Sequence, residues 1–299
     1  MSGIRLALLA AAVSGVSIFV NAQAVSAFPN ATLFTTLKNV IVGAALVAVV
    51  LVWRRADVRG LATRQWAGLA ALGFVGGSIP FVLFFEGLAR SVNAGDASFI
   101  HKTLFVWVAL GALAFLPRER LGSGQLAALG VLLVAQLLLG APKSVTAGAG
   151  ELMILAATLL WSAEIVIARR LLSSTSSVIA SAGRMGGGAL VLLAYTGATG
   201  QLTLALSPLQ WSWLAITAIV LLAFVSSWYA ALERAPATAV TCVLTLGAPI
   251  TAALALLAGR PAPSPLQLAG YALLCLAALA FIALPHLAAS RRAREAGAA

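Results

Sequence analysis

The sequence predicts an all-α integral membrane protein of ten transmembrane helices, arranged as two inverted five-helix repeats with both termini cytoplasmic. Three observations carry this. Hydrophobic residues make up 62% of the 299-residue chain and charged residues only 9%, whereas soluble domains hold about 25% charged residues. Apolar stretches of spanning length, about 20 residues each, follow one another almost end to end, leaving nothing over for an extramembrane domain. The chain also repeats itself weakly. Glu86-Gly87-Leu88-Ala89-Arg90 aligns with Ala230-Ala231-Leu232-Glu233-Arg234 at an offset of 144, Lys38 with Arg184 at 146, Ser14-Gly15 with Trp161-Ser162 at 147, and Gln125-Leu126-Ala127 with Gln267-Leu268-Ala269 at 142. An odd number of spans per repeat makes the second copy enter the membrane from the other side.

The first span covers 4–27 and holds Asn21 and Gln23 in its distal half. Arg5, the apolar run and Ala22-Gln23-Ala24 resemble a leader, but the run is long for an h-region, so retention as a helix is expected. The second span, 31–53, carries Lys38 and Asn39, and the charged stretch Arg54–Arg64 follows as a loop. The third, 66–89, holds Gly73-Phe74-Val75-Gly76-Gly77 ahead of Pro80, an expected interruption, and then Glu86. A freed backbone group is tolerated at membrane depth only where protein or a wet cavity covers it.

The fourth span, 95–116, carries the adjacent pair His101-Lys102 and Trp107; the fifth, 124–141, completes the first repeat, 1–145. Small and turn-forming residues at 141–148 join it to the second repeat, 146–299. There the sixth span, 150–171, holds Trp161 and Glu164, and the seventh, 177–198, holds Arg184 beside a Gly183-xxx-Gly187 pattern suited to close helix approach. The eighth is 209–231. The ninth, 238–258, is interrupted at Pro249 beside Gly247, and the tenth is 266–287. Cys242 and Cys275 lack metal-ligand spacing and read as small core residues.

A net charge of +11 does not indicate nucleic-acid binding, because topology accounts for its placement. With the N-terminus inside, thirteen arginines fall on cytoplasmic segments (5, 54, 55, 59, 64, 118, 120, 169, 170, 234, 291, 292, 294). Only Arg90, Lys143 and Arg260 fall on the opposite side. That is the positive-inside bias.

Several stretches resemble EamA-type members of the drug/metabolite transporter superfamily. They are Ser14-Gly15-Val16-Ser17-Ile18-Phe19-Val20-Asn21, Phe34-Thr35-Thr36-Leu37-Lys38-Asn39, Ala97-Ser98-Phe99-Ile100-His101-Lys102-Thr103-Leu104-Phe105 and Ala157-Thr158-Leu159-Leu160-Trp161-Ser162. The resemblance covers the whole chain as two tandem units. It implies a multi-pass protein of the cell membrane (the bacterial inner membrane) that moves small metabolites, often amino acids, with export the commoner direction. It further implies a central cavity bounded by helices 1–4 and 6–9, helices 5 and 10 peripheral, and commonly an arginine in helix 2, where this chain has Lys38.

Ionisable residues inside spans are costly and are functional candidates by default. Here they are Lys38, Glu86, His101, Lys102, Glu164 and Arg184. Glu164 and Arg184 lie about ten residues either side of the turn at Ser173-Ser174, so they are expected at one depth as an ion pair. The position matching Glu164 in the first repeat is Ser17, so Lys38 lacks an equivalent acid and is expected to reach Glu86, in competition with Lys102. One positive charge is then left over. That surplus points to a small-molecule substrate bearing a carboxylate or other anion, bound by Lys38, His101, Lys102, Trp161, Arg184 and Asn39. The structural alternative is a lysine snorkelling to the interface. Glu86 and Glu164 would tune charge or couple to protons, with His101 as partner because histidine changes charge near neutral pH.

The rival cargo is a phosphorylated or otherwise anionic metabolite. From another class, the rivals are a membrane-embedded lipid-modifying enzyme or a scaffold; the single intramembrane His and the divided acids argue against the enzyme. No phosphate loop, metal cluster or nucleophile–base set is recognisable, so no enzymatic activity, cofactor or metal is expected.

Overall fold

Long, predominantly apolar runs leave the backbone no hydrogen-bonding option in lipid except the helix. The computed structural model describes residues 2–90, 94–141 and 148–297, with 94–95 and 285–297 as backbone alone. Ten helices long and apolar enough to span occur among these residues, with no strand. They are α1 (Gly3–Ala27), α2 (Ala31–Trp53), α3 (Thr63–Arg90), α4 (Asp96–Phe115), α5 (Ser123–Gly140), α6 (Ala149–Leu171), α7 (Ser177–Ala198), α8 (Pro208–Arg234), α9 (Ala237–Leu257) and α10 (Pro265–Leu284). The last continues helically to Gly297, beyond the expected 287. The expected junction between the repeats at 145/146, and Lys143 with it, lie outside the described residues. A short helix, Arg55–Arg59, interrupts the charged stretch read as loop.

Chain polarity at the helix ends is locally encoded, and in both repeats alike. Gln65, Gln125, Gln210 and Gln267 each turn Oε1 back to a backbone N–H three residues earlier, at the start of α3, α5, α8 and α10 (2.8, 3.2, 2.8 and 3.0 Å). This is one half of a capping box. The Nε2 atoms of Gln65 and Gln210 then donate to Ser174 O (2.7 Å) in the α6–α7 turn and Ala27 O (2.8 Å) in the α1–α2 turn. One clamp thus recurs on opposite faces of the molecule, as inverted repeats require. At Gly200 and Gly259, φ is 68° and 77°, the left-handed geometry that ends α7 and α9.

Packing follows the same pseudo-symmetry. α1 packs on α8 and α9 as α6 packs on α3 and α4, while α2–α7, α4–α9 and α5–α10 pair across the axis. The glycine patterns serve packing within the chain: a Cβ on Gly73 would meet Gly187 Cα at 3.0 Å, and one on Gly188 would meet Gly77 Cα at 2.6 Å.

Three spans are broken. α3 divides at Gly76–Ser78. α4 divides at Thr103 and α9 at Thr245–Leu246. Thr103 and Thr245 stand 142 residues apart, the offset of the Gln125/Gln267 pair. Each donates its hydroxyl to the carbonyl three residues back, both at 2.6 Å, a local bond that competes with helix continuation. The break in α9 thus precedes Pro249, which occupies the first turn of the following half, where proline is tolerated.

The two faces differ in packing. On the face holding Gly3 and the Arg-rich segments, a continuous apolar core joins Leu6, Val50, Leu72, Ala112, Ile165, Tyr229 and Val240. Buried Glu119, between α4 and α5, accepts from Ala237 N (2.6 Å), Thr238 N (3.2 Å) and Thr238 Oγ1 (2.9 Å), capping α9, and Arg169 Nε lies 3.7 Å from it. Glu233 accepts from Ser177 N and Oγ (both 3.1 Å), capping α7. On the other face the distal half of α3 buries only Pro80 and Gly87, and that of α9 only Gly247.

Replacing Glu119 by Ala strips the cap from α9 and should cost about 1–2 kcal/mol. Amide hydrogen exchange at 237–241 would accelerate while exchange in α5 and α10 stays unchanged; uniform acceleration would contradict a local capping role.

Candidate functional site

Pro80 has no N–H, so the carbonyl of Gly76, four residues earlier, loses its helical donor. At membrane depth it needs another, and it finds two. Arg184 Nη2 on α7 donates at 3.1 Å and Trp161 Nε1 on α6 at 3.2 Å. Arg184 Nε lies 3.3 Å from Glu164 Oε1, so the ion pair expected from the sequence forms. Its alignment is not that of a hydrogen bond, since Nε has no acceptor. The Tyr229 hydroxyl on α8 donates to the same Glu164 oxygen. Four helices therefore converge on one backbone break.

The first repeat builds something different at the equivalent place. Lys38 is buried, and its Nζ donates to Asn21 Oδ1 at 2.9 Å, while Asn21 Nδ2 donates to Ser17 Oγ at 2.9 Å. The ammonium also lies 4.5 Å above the Phe34 ring. The expected contact with Glu86 does not form. Glu86 is taken by Arg90 one turn on (3.1 Å) and by the Tyr195 hydroxyl (3.4 Å). A neighbour on its own helix satisfies the acid before one on α2 can reach it. Among the described residues, Lys38 and Lys102 have no carboxylate within ion-pair distance.

Lys102 ends the first half of α4, and with His101 it lines a cavity of about 190 Å³ among α1, α4, α5 and α9. The breaks in α4 and α9 face each other across it: Leu104 and Phe105 on one side, Leu244, Thr245, Gly247 and Ala248 on the other. Ser14, Thr241 and Gln136 add polar groups. Discontinuous helices meeting near mid-membrane are where transporters bind substrates and ions.

The six residues read from sequence as a substrate site thus divide. Lys38 sits with Asn21, and Arg184 and Trp161 sit at the Gly76 carbonyl. Lys102 lines the cavity. His101 joins the last two groups, because its ring lies 5.0 Å from Trp161 and 5.2 Å from Phe84. Asn39 is buried, with Nδ2 unpartnered, and does not line the cavity. Trp107 donates to Thr103 Oγ1 (3.0 Å) and lines an apolar depression between α4 and α6 instead. Sequence reading missed Tyr229, Thr245 and Gln136. Only Gln136 carried a signal, as the one strongly polar side chain in the apolar stretch 126–140.

A family model for the EamA-like transporter family matches residues 1–141 and 148–284. Among curated proteins none matches the chain. A solved crystal structure, described only as that of a protein, superimposes with a TM-score of 0.76 over 94% of this chain and 98% of that one. At 21% identity this likeness establishes a shared fold.

Removing Arg184 leaves the Glu164 carboxylate without its cation and the Gly76 carbonyl short of a donor. Arg184→Ala should therefore destabilise by about 3–5 kcal/mol, whereas Trp161→Phe, which loses one hydrogen bond, should cost about 1 kcal/mol. Reversible unfolding in mixed micelles would order the two; equal losses would mean that the ion pair stabilises the fold no more than the indole hydrogen bond does.

Proposed function

The chain belongs to the EamA-like transporter family, and from that premise we propose a secondary transporter that moves small carboxylate-bearing metabolites, such as amino acids or organic acids, by alternating access. One observation carries the anionic cargo: both intramembrane glutamates are held by arginines, while Lys38 and Lys102 have no acidic partner among the described residues. An uncompensated ammonium in a span is costly, and a substrate carboxylate removes that cost on binding. Lys102 is the primary anion contact, because it lines the cavity where the α4 and α9 breaks face each other. Lys38, held by Asn21, is the secondary one.

The contrast between the faces supports alternating access. With the Arg-rich face cytoplasmic, the conformation is sealed inside by the core around Leu72 and Ile165 and by the Glu119 and Glu233 caps, and on the outer face the distal halves of α3 and α9 bury few residues. In this reading 1–145 and 146–299 are the bodies that rock about the site, and net movement is export.

Purified protein should gain thermal stability from carboxylates, since a ligand binding only the folded state raises the melting point. Lys102→Ala should abolish the gain and Lys38→Ala should reduce it. In proteoliposomes the same carboxylate should exchange across the membrane. Stabilisation by phosphorylated compounds alone would replace the cargo assignment with a phosphate-bearing one, and carboxylate shifts of equal size in all three proteins would remove the lysines from the site.

A further inference from the structure

Resting on that transport reading, we propose that Gln136 on α5 determines specificity: it restricts the cavity at the facing helix breaks to small carboxylates that also carry a hydrogen-bond donor. Gln136 is 3% exposed and lines the cavity together with Lys102. Its Oε1 is buried and has no hydrogen-bond partner. Buried polar atoms are nearly always paired, and leaving one unpaired inside a membrane protein is costly. In this orientation of the amide the atom that completes it is a donor, because a side-chain amide oxygen only accepts.

The surroundings narrow the chemistry. Thr241 donates its hydroxyl to Ala237 O at 2.9 Å, and Thr245 donates to Cys242 O at 2.6 Å, so these hydroxyl protons are already committed to backbone. His101 Nδ1, on the same cavity, is likewise buried and unpaired. Lys102 supplies positive charge with no described carboxylate beside it. A ligand that satisfies the set presents an anionic group to Lys102 and an ammonium, hydroxyl or amide N–H to Gln136.

Size narrows the ligand further. An enclosed cavity of about 150 Å³ holds benzene. The cavity here, about 190 Å³ and partly open, holds roughly seven to nine non-hydrogen atoms of a ligand beside Lys102 and Gln136. Short amino and hydroxy acids meet both conditions, and simple fatty acids of the same length meet only the first. A site built around a buried hydrogen-bonding group rejects an analogue lacking its partner far more strongly than an apolar slot rejects a missing methylene. Helix 5 is expected to be peripheral from the family resemblance, so a side chain there that reads the ligand places selectivity outside the helices that bound the central cavity.

The test uses the purified full-length chain in detergent and isothermal titration with two matched triads: alanine, lactate and propionate, then valine, 2-hydroxy-3-methylbutyrate and 3-methylbutyrate. Wild type should bind a donor-bearing member of a triad at least about tenfold tighter than the unsubstituted acid. Gln136→Leu, close in volume, should erase that gap by weakening the donor-bearing acids alone, and Lys102→Ala should weaken all members. Equal wild-type affinities within both triads, or a gap that survives Gln136→Leu, overturns the role of Gln136 while leaving carboxylate transport standing. Failure of wild type to bind any of the six overturns both readings. The wild-type comparison needs no substitution, so it decides the matter even if Gln136→Leu does not fold.

Discussion

The need to satisfy every backbone polar group in a medium without water organises this molecule. Pro80 releases the Gly76 carbonyl in the interior of α3, and Arg184 and Trp161 take it up. Arg184 requires an anion, which Glu164 provides, and Glu164 accepts in turn from Tyr229. A single missing N–H on α3 thus fixes side chains on α6, α7 and α8. The glycines at 73, 77, 187 and 188 make this possible by letting α3 and α7 approach closely enough for the guanidinium to reach the carbonyl.

The two repeats answer one architectural demand with different chemistry. The second uses a charged pair, Arg184 with Glu164. At the matching positions the first has Lys38 with Ser17 and Asn21, which orient an ammonium without neutralising it. Glu86 is committed to Arg90 on its own helix. The imbalance is therefore local and concentrated where α1, α2 and α4 meet the interior, which is why an anionic cargo is the natural reading. Symmetry of fold coexists with asymmetry of charge.

Asymmetry of packing runs at right angles to this. The Gln65 and Gln210 clamps recur on both faces and tie each hairpin to its neighbouring helix. The glutamate caps at Glu119 and Glu233 lie on the Arg-rich face, and the distal halves of α3 and α9 on the opposite face bury few residues. In the proposed transport cycle, elements shared by both faces would hold the bodies together, and those on one face would hold a conformation.

The sequence by itself determined the ten helices, their approximate limits, the inverted repeat, the break at Pro80 and the Glu164–Arg184 pair. Each of these is set by local composition, by proline, or by helical rise counted from a single short turn. The fate of Lys38 was not legible, because depth along a helix does not fix which face of a neighbour a side chain meets, and Glu86 had a nearer arginine. Nor were the breaks at Thr103 and Thr245, where a hydroxyl's choice of carbonyl depends on whether the surrounding helices allow the bend. Gln136 stood out as polar in an apolar run, yet only tertiary structure decided that it faces a cavity containing Lys102. Periodicity and length are properties of one segment and can be read from the chain. A binding site is a coincidence of several segments, and packing alone brings them together.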